Sequence, residues 1–273
     1  MTWIRRELNS IGVPPLKKFG QHFLFDTKTR EKLIELAELT NDDDVLEVGP
    51  GLGFLTSMLV ERAGHVIAVE KDRALAAHLK SKFSTFRNLT VIQGDILDYK
   101  MPDHAKIVAS PPYNISSRLL LKILSSKFKF AAMIMQEEFV TRLTAPCGSR
   151  DYGRLTVMLQ FKAQAKFIQH VSKSVFYPPP RVDSALVTIA PITECLKADC
   201  KLEELVRVLF TQRRRRLHGV LMRYLRRRYP SQVDFIMQKI SVPEKRVYET
   251  TPIEFAVLSE GIEQALGDLG EDS

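Results

Sequence analysis

The chain lacks the hallmarks of secreted, metal-binding and membrane-spanning proteins. Its three cysteines, Cys147, Cys195 and Cys200, have no CxxC or Cys/His ligand spacing, so neither a disulfide framework nor a metal centre is expected. No apolar run approaches the roughly 20 residues that span a bilayer, and the N-terminus shows no apolar stretch followed by a cleavage site. With 45% hydrophobic and 26% charged residues, the 273-residue chain is also neither disordered nor fibrous. These features predict a globular cytoplasmic protein with reduced thiols and no membrane partner.

Acidic residues are missing from one stretch of the chain, residues 206–233. This stretch contains nine arginines, and without them the formal net charge falls from +8 to −1. A focused basic patch on a nearly neutral body favours a polyanionic ligand such as RNA. On charge alone, a merely solvated basic helix is the alternative interpretation.

Between residues 42 and 136, short apolar runs alternate with helix-compatible segments, which is typical of an α/β protein with a parallel sheet. Buried strands are predicted at Val45–Val48, Val66–Val69, Leu89–Ile92, Lys106–Ala109 and Ala131–Met135. Helices are predicted at Phe54–Arg62, Asp72–Phe83 and Ser116–Leu124. Two further β-rich runs, Arg154–Ala163 and Asp183–Ile189, flank a proline-rich loop at Tyr177–Pro180. In such a sheet a ligand is expected at the carboxyl ends of the strands.

After residue 191 the apolar spacing changes to intervals of three and four, which predicts helices. The expected organisation is a catalytic domain at residues 1–192 and a helical, arginine-rich RNA-binding domain at residues 193–273. On a helical wheel, the apolar residues from Leu217 to Leu225 share one face. Four arginines lie on the opposite face and are expected to point to solvent: Arg216, Arg223, Arg226 and Arg227.

The first predicted strand runs into a glycine-rich segment, Glu47–Gly53, with the sequence EVGPGLG. Glycines such as Gly49 and Gly51 let a ligand approach the backbone where the amides of the next helix point outward. The third glycine comes one position too early for the dinucleotide pattern GxGxxG. A compact GxGxG loop suits a nucleoside without a pyrophosphate, such as S-adenosylmethionine, although a plain tight turn has the same sequence features.

Two acidic residues follow the next two strands. Glu70 ends the second strand, where a carboxylate can accept both ribose hydroxyls. Asp95 ends the third, where it can accept the amino protons of adenine while Ile96 packs on the ring. Each acid by itself is better explained as a cap at a strand end, but three successive strand ends with Gly49, Glu70 and Asp95 favour a nucleoside site.

The fourth strand is followed by Ser110-Pro111-Pro112-Tyr113, which resembles the (Asp/Asn/Ser)-Pro-Pro-(Tyr/Phe) motif of methyltransferases acting on exocyclic base amines. Such an amine is a poor nucleophile because its lone pair is delocalised into the ring. A site helps by accepting hydrogen bonds from the N–H groups so that the nitrogen can pyramidalise. The Ser110 hydroxyl and the Pro111 carbonyl can accept, the prolines fix the backbone, and Tyr113 can stack on a flipped-out base.

Together the motifs resemble the rRNA adenine N6,N6-dimethyltransferase family, particularly its enzymes that dimethylate two adjacent adenosines near the 3′ end of small-subunit rRNA. The similarity spans nearly the whole chain and includes these segments: KFGQHFL at 18–24, EVGPGLGFLT at 47–56, VEKD at 69–72, GDIL at 94–97, YGRL at 152–155, FYPPPRVDSA at 176–185 and FTQRR at 210–214. It implies a Rossmann-like class I methyltransferase sheet with a small C-terminal all-helical domain, and S-adenosylmethionine as cofactor. It also implies a monomer whose partner is small-subunit rRNA within a partly assembled subunit.

The resemblance assigns roles to further residues. His22 and Leu24 are expected to cap the methionine end of the cofactor, and Gly49 to provide its backbone side. Phe176 is expected to hold the target base opposite Tyr113.

One residue departs from the family pattern, which usually has Asn where this chain has Ser110. Because Ser-Pro-Pro-Tyr also occurs in cytosine N4-methyltransferases, the motif alone leaves adenine and cytosine open, and the other motifs favour adenine. A branch that modifies large-subunit rRNA is a further alternative. The alternative outside the enzymes is an RNA-binding assembly or transcription factor that kept the fold without full catalysis.

Overall fold

A computed structural model describes residues 2–12, 21–192 and 200–271 of the chain. Part of the predicted 18–24 motif, Lys18 to Gly20, lies outside the described residues, as does Cys195. Cys147 is an exposed free thiol.

Seven strands of the described residues form one sheet: β2 (Asp44–Val48), β3 (His65–Glu70), β4 (Leu89–Gln93), β5 (Lys106–Ala109), β6 (Phe130–Gln136), β7 (Ala163–Val171) and β9 (Ser184–Pro191). Their spatial order is β4-β3-β2-β5-β6-β9-β7, so the five predicted strands, β2 to β6, lie side by side with β4 at the sheet edge. The pairs from β4 through β6 are parallel, and β9 pairs with β6 in the antiparallel direction. The interior of β6 is completely buried, as expected for a strand covered on both faces.

Two short strands form a separate sheet. Phe23–Leu24 (β1) pairs antiparallel with Phe176–Tyr177 (β8), directly before the proline-rich loop. The three prolines at 178–180 have no helix or strand structure, as predicted, but Tyr177, which was predicted in the loop, belongs to β8. The Tyr177–Pro178 peptide bond is cis.

The described residues up to 143 contain the helices α1 (Thr2–Ser10), α2 (Thr27–Ala37), α3 (Thr56–Leu59), α4 (Arg73–Lys82), α5 (Ser116–Leu124) and α6 (Glu137–Leu143). Asp72 caps the N-terminus of α4, because its carboxylate accepts the N–H groups of Ala74 and Leu75, and this cap starts the helix directly after β3. Further along the described part of the chain lie α7 (Arg154–Gln160), α8 (Cys200–Leu209), α9 (Leu217–Arg228), α10 (Val233–Lys239) and α11 (Pro252–Glu271).

The chain divides into two compact units. The first comprises Met1–Val140 and Ala165–Pro191, and the second comprises Thr141–Gln164 and Ile192–Ser273. The predicted boundary at residue 192 lies close to the start of the second unit's C-terminal segment. Thr141–Gln164, which the prediction includes in the catalytic domain, belongs to the second unit. In the second unit, Tyr152 is fully buried, and its hydroxyl donates to the Thr250 carbonyl at 3.0 Å.

Two predicted elements differ from the structure. The run Arg154–Ala163 was predicted as β-rich, but its first seven residues form α7. Four consecutive residues, Thr156 to Leu159, are buried there, so the helix is covered on most sides and its apolar run resembles that of a buried strand. The predicted helix Phe54–Arg62 is regular only at Thr56–Leu59, with hydrogen-bonded turns on both sides.

No helix in the described parts of the chain is long and apolar enough to cross a membrane. The same described residues contain no group of three or more His, Cys, Asp or Glu side chains placed to hold a metal ion.

Candidate functional site

A cleft of about 220 Å³ opens in the first unit where strands β2, β3, β4 and β5 end. The structure brings the predicted cofactor and catalytic residues together along its walls: His22, Leu24, Gly49, Gly51, Glu70, Asp95, Ile96, Ser110, Pro111, Pro112 and Tyr113. Because the carboxyl ends of parallel strands meet at one sheet edge, segments far apart in sequence converge there.

The glycine loop after β2 requires left-handed backbone at Gly49 and Gly51, with φ of 68° and 61°. A Cβ on Gly51 would lie 2.8 Å from the Phe23 ring, and one on Gly49 would lie 3.3 Å from the Pro112 ring. Glycine therefore leaves open the space between this loop and the Ser110–Tyr113 segment.

Glu70 is almost completely buried at the end of β3. One carboxylate oxygen accepts the Gly51 N–H at 3.1 Å and the other accepts the Asp72 N–H at 2.8 Å. Burial raises the pKa of Glu70, whereas these backbone donors oppose the shift. Each oxygen has two lone pairs, so the carboxylate can still accept hydroxyl groups from a ligand.

Asp95 pairs with Lys71, an interaction that the sequence reasoning missed. The Lys71 Nζ lies 2.7 Å from one Asp95 oxygen, and the Leu97 N–H donates to the other at 2.9 Å. The Lys71 hydrogen bond is the main reason why the pKa of Asp95 is lowered. Asp95 therefore remains an ionised acceptor at neutral pH.

Glu47 is a second unassigned residue of the cleft wall. Its side chain is buried and accepts the Thr56 hydroxyl at 2.6 Å. Burial raises the pKa of Glu47 to about 8. The position of Glu47 directly before the glycines is the one sequence feature that could have marked it as a cleft residue. Its burial and its hydrogen bond to Thr56 arise only in the folded structure.

The Tyr113 side chain is held by Ser184, which lies 71 positions away in the sequence. Its hydroxyl lies 2.5 Å from the Ser184 hydroxyl, and burial raises the pKa of Tyr113 to about 12, so the ring is neutral. The His22 ring stacks against it with centroids 5.8 Å apart. His22 Nδ1 lies 2.7 Å from the Pro178 carbonyl, which can only accept, so Nδ1 donates and the imidazole is oriented.

Phe176 is the predicted site residue that the structure places elsewhere. It is not among the described residues that line the cleft, and its fully buried side chain belongs to the hydrophobic core with Leu24 and Val171. Phe176 pairs with Leu24 across β1 and β8, and its side chain packs in the core instead of on the cleft wall. Its contact with a target base stays a prediction.

The four predicted arginines lie at the start of α9 and along it, in the second unit. Arg216, Arg223, Arg226 and Arg227 are all exposed, whereas Leu217, Val220, Leu221 and Leu225 are buried. The predicted separation of an apolar face from a basic face is confirmed.

The cleft residues fit S-adenosylmethionine. Carboxylates at the ends of β3 and β4 can bind ribose and adenine, and the open backbone at Gly49 faces Pro112 of the Ser110–Tyr113 segment. Two aromatic rings, of His22 and Tyr113, close the end where Ser110 lies. This arrangement can hold a nucleoside beside a planar base.

Comparison with known proteins agrees with this geometry. The family model described as ribosomal RNA adenine dimethylase matches residues 16–255. A Pyrococcus abyssi protein named "Probable ribosomal RNA small subunit methyltransferase A" is 38% identical over 256 residues, covering 93% of this chain and 94% of that protein. A Methanothermobacter thermautotrophicus protein of the same name is 35% identical, with 97% of each chain covered.

Two solved structures are similar over 89% of this chain. A dimethyladenosine transferase from Plasmodium falciparum is 28% identical, with a TM-score of 0.79 and 98% of its chain covered. The 23S rRNA methyltransferase ErmE is 33% identical, with a TM-score of 0.67 and its whole chain covered.

Proposed function

Because the chain belongs to the ribosomal RNA adenine dimethylase family, we propose that its targets are two adjacent adenosines near the 3′ end of small-subunit ribosomal RNA. The protein is an S-adenosylmethionine-dependent methyltransferase that dimethylates adenine in this RNA. The observation that carries the proposal is the single cleft where the glycine loop, Glu70, Asp95 and the Ser110–Tyr113 segment meet. The protein acts as a cytoplasmic monomer on a partly assembled small subunit.

The cofactor-binding residues have separate tasks. Glu70 accepts the ribose hydroxyls, Asp95 accepts the adenine amino group, and Ile96 packs on the adenine ring. Leu24 and His22 close the methionine end, with His22 held by the Pro178 carbonyl. When bound, S-adenosylmethionine supplies a methyl group activated on its sulfonium.

The Ser110–Tyr113 segment prepares the amine of the target base. The Ser110 hydroxyl and the Pro111 carbonyl accept its N–H bonds, which favours a pyramidal nitrogen with its lone pair free. The neutral Tyr113 ring stacks on the base, and the hydrogen bond to Ser184 fixes the ring's position. The nitrogen loses a proton to solvent after methyl transfer, so no side chain with a shifted pKa needs to act as a base.

Arginines of the second unit hold the RNA. Arg216, Arg223, Arg226 and Arg227 are exposed on one face, and arginine binds phosphate oxygens through parallel hydrogen bonds. These contacts carry no sequence information, so the target adenosines are selected by the RNA structure and by the cleft.

The experiment offers the protein small-subunit rRNA from a strain that lacks it, both naked and in immature subunits, and maps methyl groups by mass spectrometry. We expect two N6,N6-dimethyladenosines near the 3′ end. A large-subunit arm is included because of the similarity to ErmE, and N4-methylcytosine is monitored because of Ser110. Methyl groups in only those places would overturn the proposal, and cofactor binding without transfer would indicate an assembly factor.

Tyr113→Ala tests the stacking role in the same assay. Loss of base stacking, worth about 1–3 kcal/mol, should lower turnover roughly 5- to 150-fold while the Kd for S-adenosylmethionine stays within about twofold. Tyr113→Phe is the matched control, because it keeps the ring and removes only the bond to Ser184. An equal loss of cofactor affinity in Tyr113→Ala would show that the ring shapes the cofactor site instead.

A further inference from the structure

The second unit contains a groove that the methyl-transfer site does not use. It lies between α8, the turn at Phe210–Gln212 and α9, and it encloses about 520 Å³. Its lining includes Arg207 of α8 and Arg223, Tyr224, Arg227 and Arg228 of α9. Two helices and a turn thus display four guanidinium groups around one aromatic side chain.

The charge of the groove favours an anion. Among the described residues that line it, Glu204 is the single carboxylate, against four arginines. Glu204 lies 3.7 Å from Arg207, a long contact between side chains that are about half exposed. Such an exposed pair is weak, so the guanidinium of Arg207 can still bind a phosphate.

The shape of the groove favours a nucleotide over a bare phosphate. Tyr224 is half-buried in the wall, which holds its ring in place while part of it faces the groove. The Arg223 Nε donates to the Gly219 carbonyl at 3.1 Å, which orients that guanidinium along the helix. Gln212 adds an amide that can both donate and accept hydrogen bonds. An aromatic ring flanked by arginines is the arrangement that binds unstacked bases and their phosphates.

We propose that the groove between α8 and α9 binds an unpaired nucleotide of the RNA substrate. The base stacks on Tyr224, and the flanking phosphates bind Arg207, Arg223, Arg227 and Arg228. A paired nucleotide cannot offer its base to the ring, so the groove favours a loop, bulge or single strand over a duplex. The inference rests on the proposed function only in that the ligand is RNA.

Tyr224→Leu tests this with a short single-stranded RNA and a fully paired RNA of the same length, using fluorescence anisotropy. Affinity for the single strand should fall roughly 5- to 150-fold, as expected from base stacking, and affinity for the duplex should change less than about twofold. Tyr224→Phe keeps the ring and should behave as wild type. Equal losses on both RNAs, or no loss on either, would overturn the proposal.

Two further measurements keep the test decisive if Tyr224→Leu is unstable. The Tyr113→Ala protein, whose cleft can no longer stack a base, should bind an abasic single strand at least about fivefold more weakly than the normal strand. Equal affinity for the two strands would contradict stacking on Tyr224. Arg226→Gln changes an exposed arginine of α9 that does not line the groove, and it should lower the affinity for the single strand and for the duplex by the same factor. If the proposed function were wrong, the wild type would transfer no methyl group to small-subunit rRNA. The binding assays do not measure methyl transfer, so the two failures are distinguishable.

Discussion

Glu70 combines two tasks in one buried carboxylate. Its oxygens accept the N–H groups of Gly51 and Asp72, so it ties the glycine loop to the start of α4. The same oxygens keep free lone pairs toward the cleft, where the ribose hydroxyls are proposed to bind. The residue therefore shapes the loop before any ligand is present.

Replacing Glu70 should weaken cofactor binding. Glu70→Ala removes charge-assisted hydrogen bonds to the ribose, and we expect a loss of about 1–3 kcal/mol in calorimetry. Glu70→Gln should lose less, because one acceptor oxygen remains. An analogue without ribose hydroxyls should lose less affinity in Glu70→Ala than S-adenosylmethionine does, because it is affected only through the glycine loop that Glu70 holds. If Glu70→Ala bound S-adenosylmethionine as the wild type does, the ribose role would be falsified.

Glu47 should make stability depend on pH. Its pKa is near 4.5 in the unfolded chain but about 8 in the folded cleft, because burial disfavours the charged form. Between these values the folded state binds more protons than the unfolded state. The free energy of unfolding contributed by this residue should therefore be highest below pH 4.5 and should fall as the pH rises to about 8.

Chemical denaturation between pH 5 and 9 measures this dependence. Glu47→Gln has nearly the same shape, can still accept the Thr56 hydroxyl and cannot ionise. Its free energy of unfolding should decline less across the range, by an amount on the order of a few kcal/mol. Identical pH profiles for the two proteins would contradict the buried, proton-retaining state of Glu47.

At the scale of elements, α1 braces the cofactor cleft. Ile4 and Leu8 are buried in a cluster with Phe23, Leu52 and Leu75, of which Phe23 and Leu75 also line the cleft. The Trp3 ring packs against Phe54, another residue of the cleft wall, at 5.1 Å between centroids.

An ionic link joins α1 to the glycine loop through α4. Glu7 of α1 lies 2.9 Å from the Lys82 Nζ, and the same Nζ donates to the Leu52 carbonyl at 3.0 Å. Lys82 thus ties the three elements together.

Breaking this link should loosen the glycine loop. In Lys82→Met the bonds to Glu7 and to the Leu52 carbonyl are lost, and because Lys82 is partly exposed we expect the Kd for S-adenosylmethionine to rise only about fivefold. Lys82→Arg should restore most of the affinity. RNA affinity should not change in either variant. Unchanged cofactor binding in Lys82→Met would mean that the apolar contacts of α1 hold the loop without the ionic link.

At the scale of the whole molecule, the basic charge is concentrated. The 28 residues 206–233 contain nine arginines and no acid, and the rest of the chain has a net charge near zero. Local concentration of charge attracts a polyanion more strongly than the same charge spread over the surface.

Changing Arg216, Arg223, Arg226 and Arg227 together to Gln should lower RNA affinity and its dependence on salt. Each lost phosphate contact should make the slope of log K against log salt shallower by roughly 0.7 to 0.9, because fewer counterions are released. Cofactor affinity should not change. The measurement is a salt titration of binding to small-subunit rRNA.

The matched control removes the same charge from four exposed cations of the first unit: Lys80, Arg87, Lys100 and Lys127. This variant should keep the wild-type slope if the arginine face makes the contacts. If the slope of log K against log salt became shallower by the same amount in both variants, net charge alone would explain RNA binding.

Local patterns were sufficient for much of this molecule. Strands β2 to β6 and helices α4 and α5 occur within one residue of their predicted bounds, because parallel strands and amphipathic helices leave short, regular signals. The cleft residues from Gly49 to Tyr113 were also predictable, because each follows a strand and strand ends converge. The run at residues 154–160 was not, because a helix buried on most sides shows no clear period.

The sequence by itself determined the order along the chain of strands β2 to β6 and their loops, the residue types at the ends of these strands, the nine-arginine segment and the two faces of α9. Only the tertiary structure decided which distant groups meet. The Ser184 hydroxyl contacts that of Tyr113, the Pro178 carbonyl accepts from His22, and Lys71 pairs with Asp95. It also turned Phe176 into the core and raised the pKa of Glu47. Contacts, burial and pKa values depend on what packs against a residue from elsewhere in the chain, and no local pattern records those neighbours.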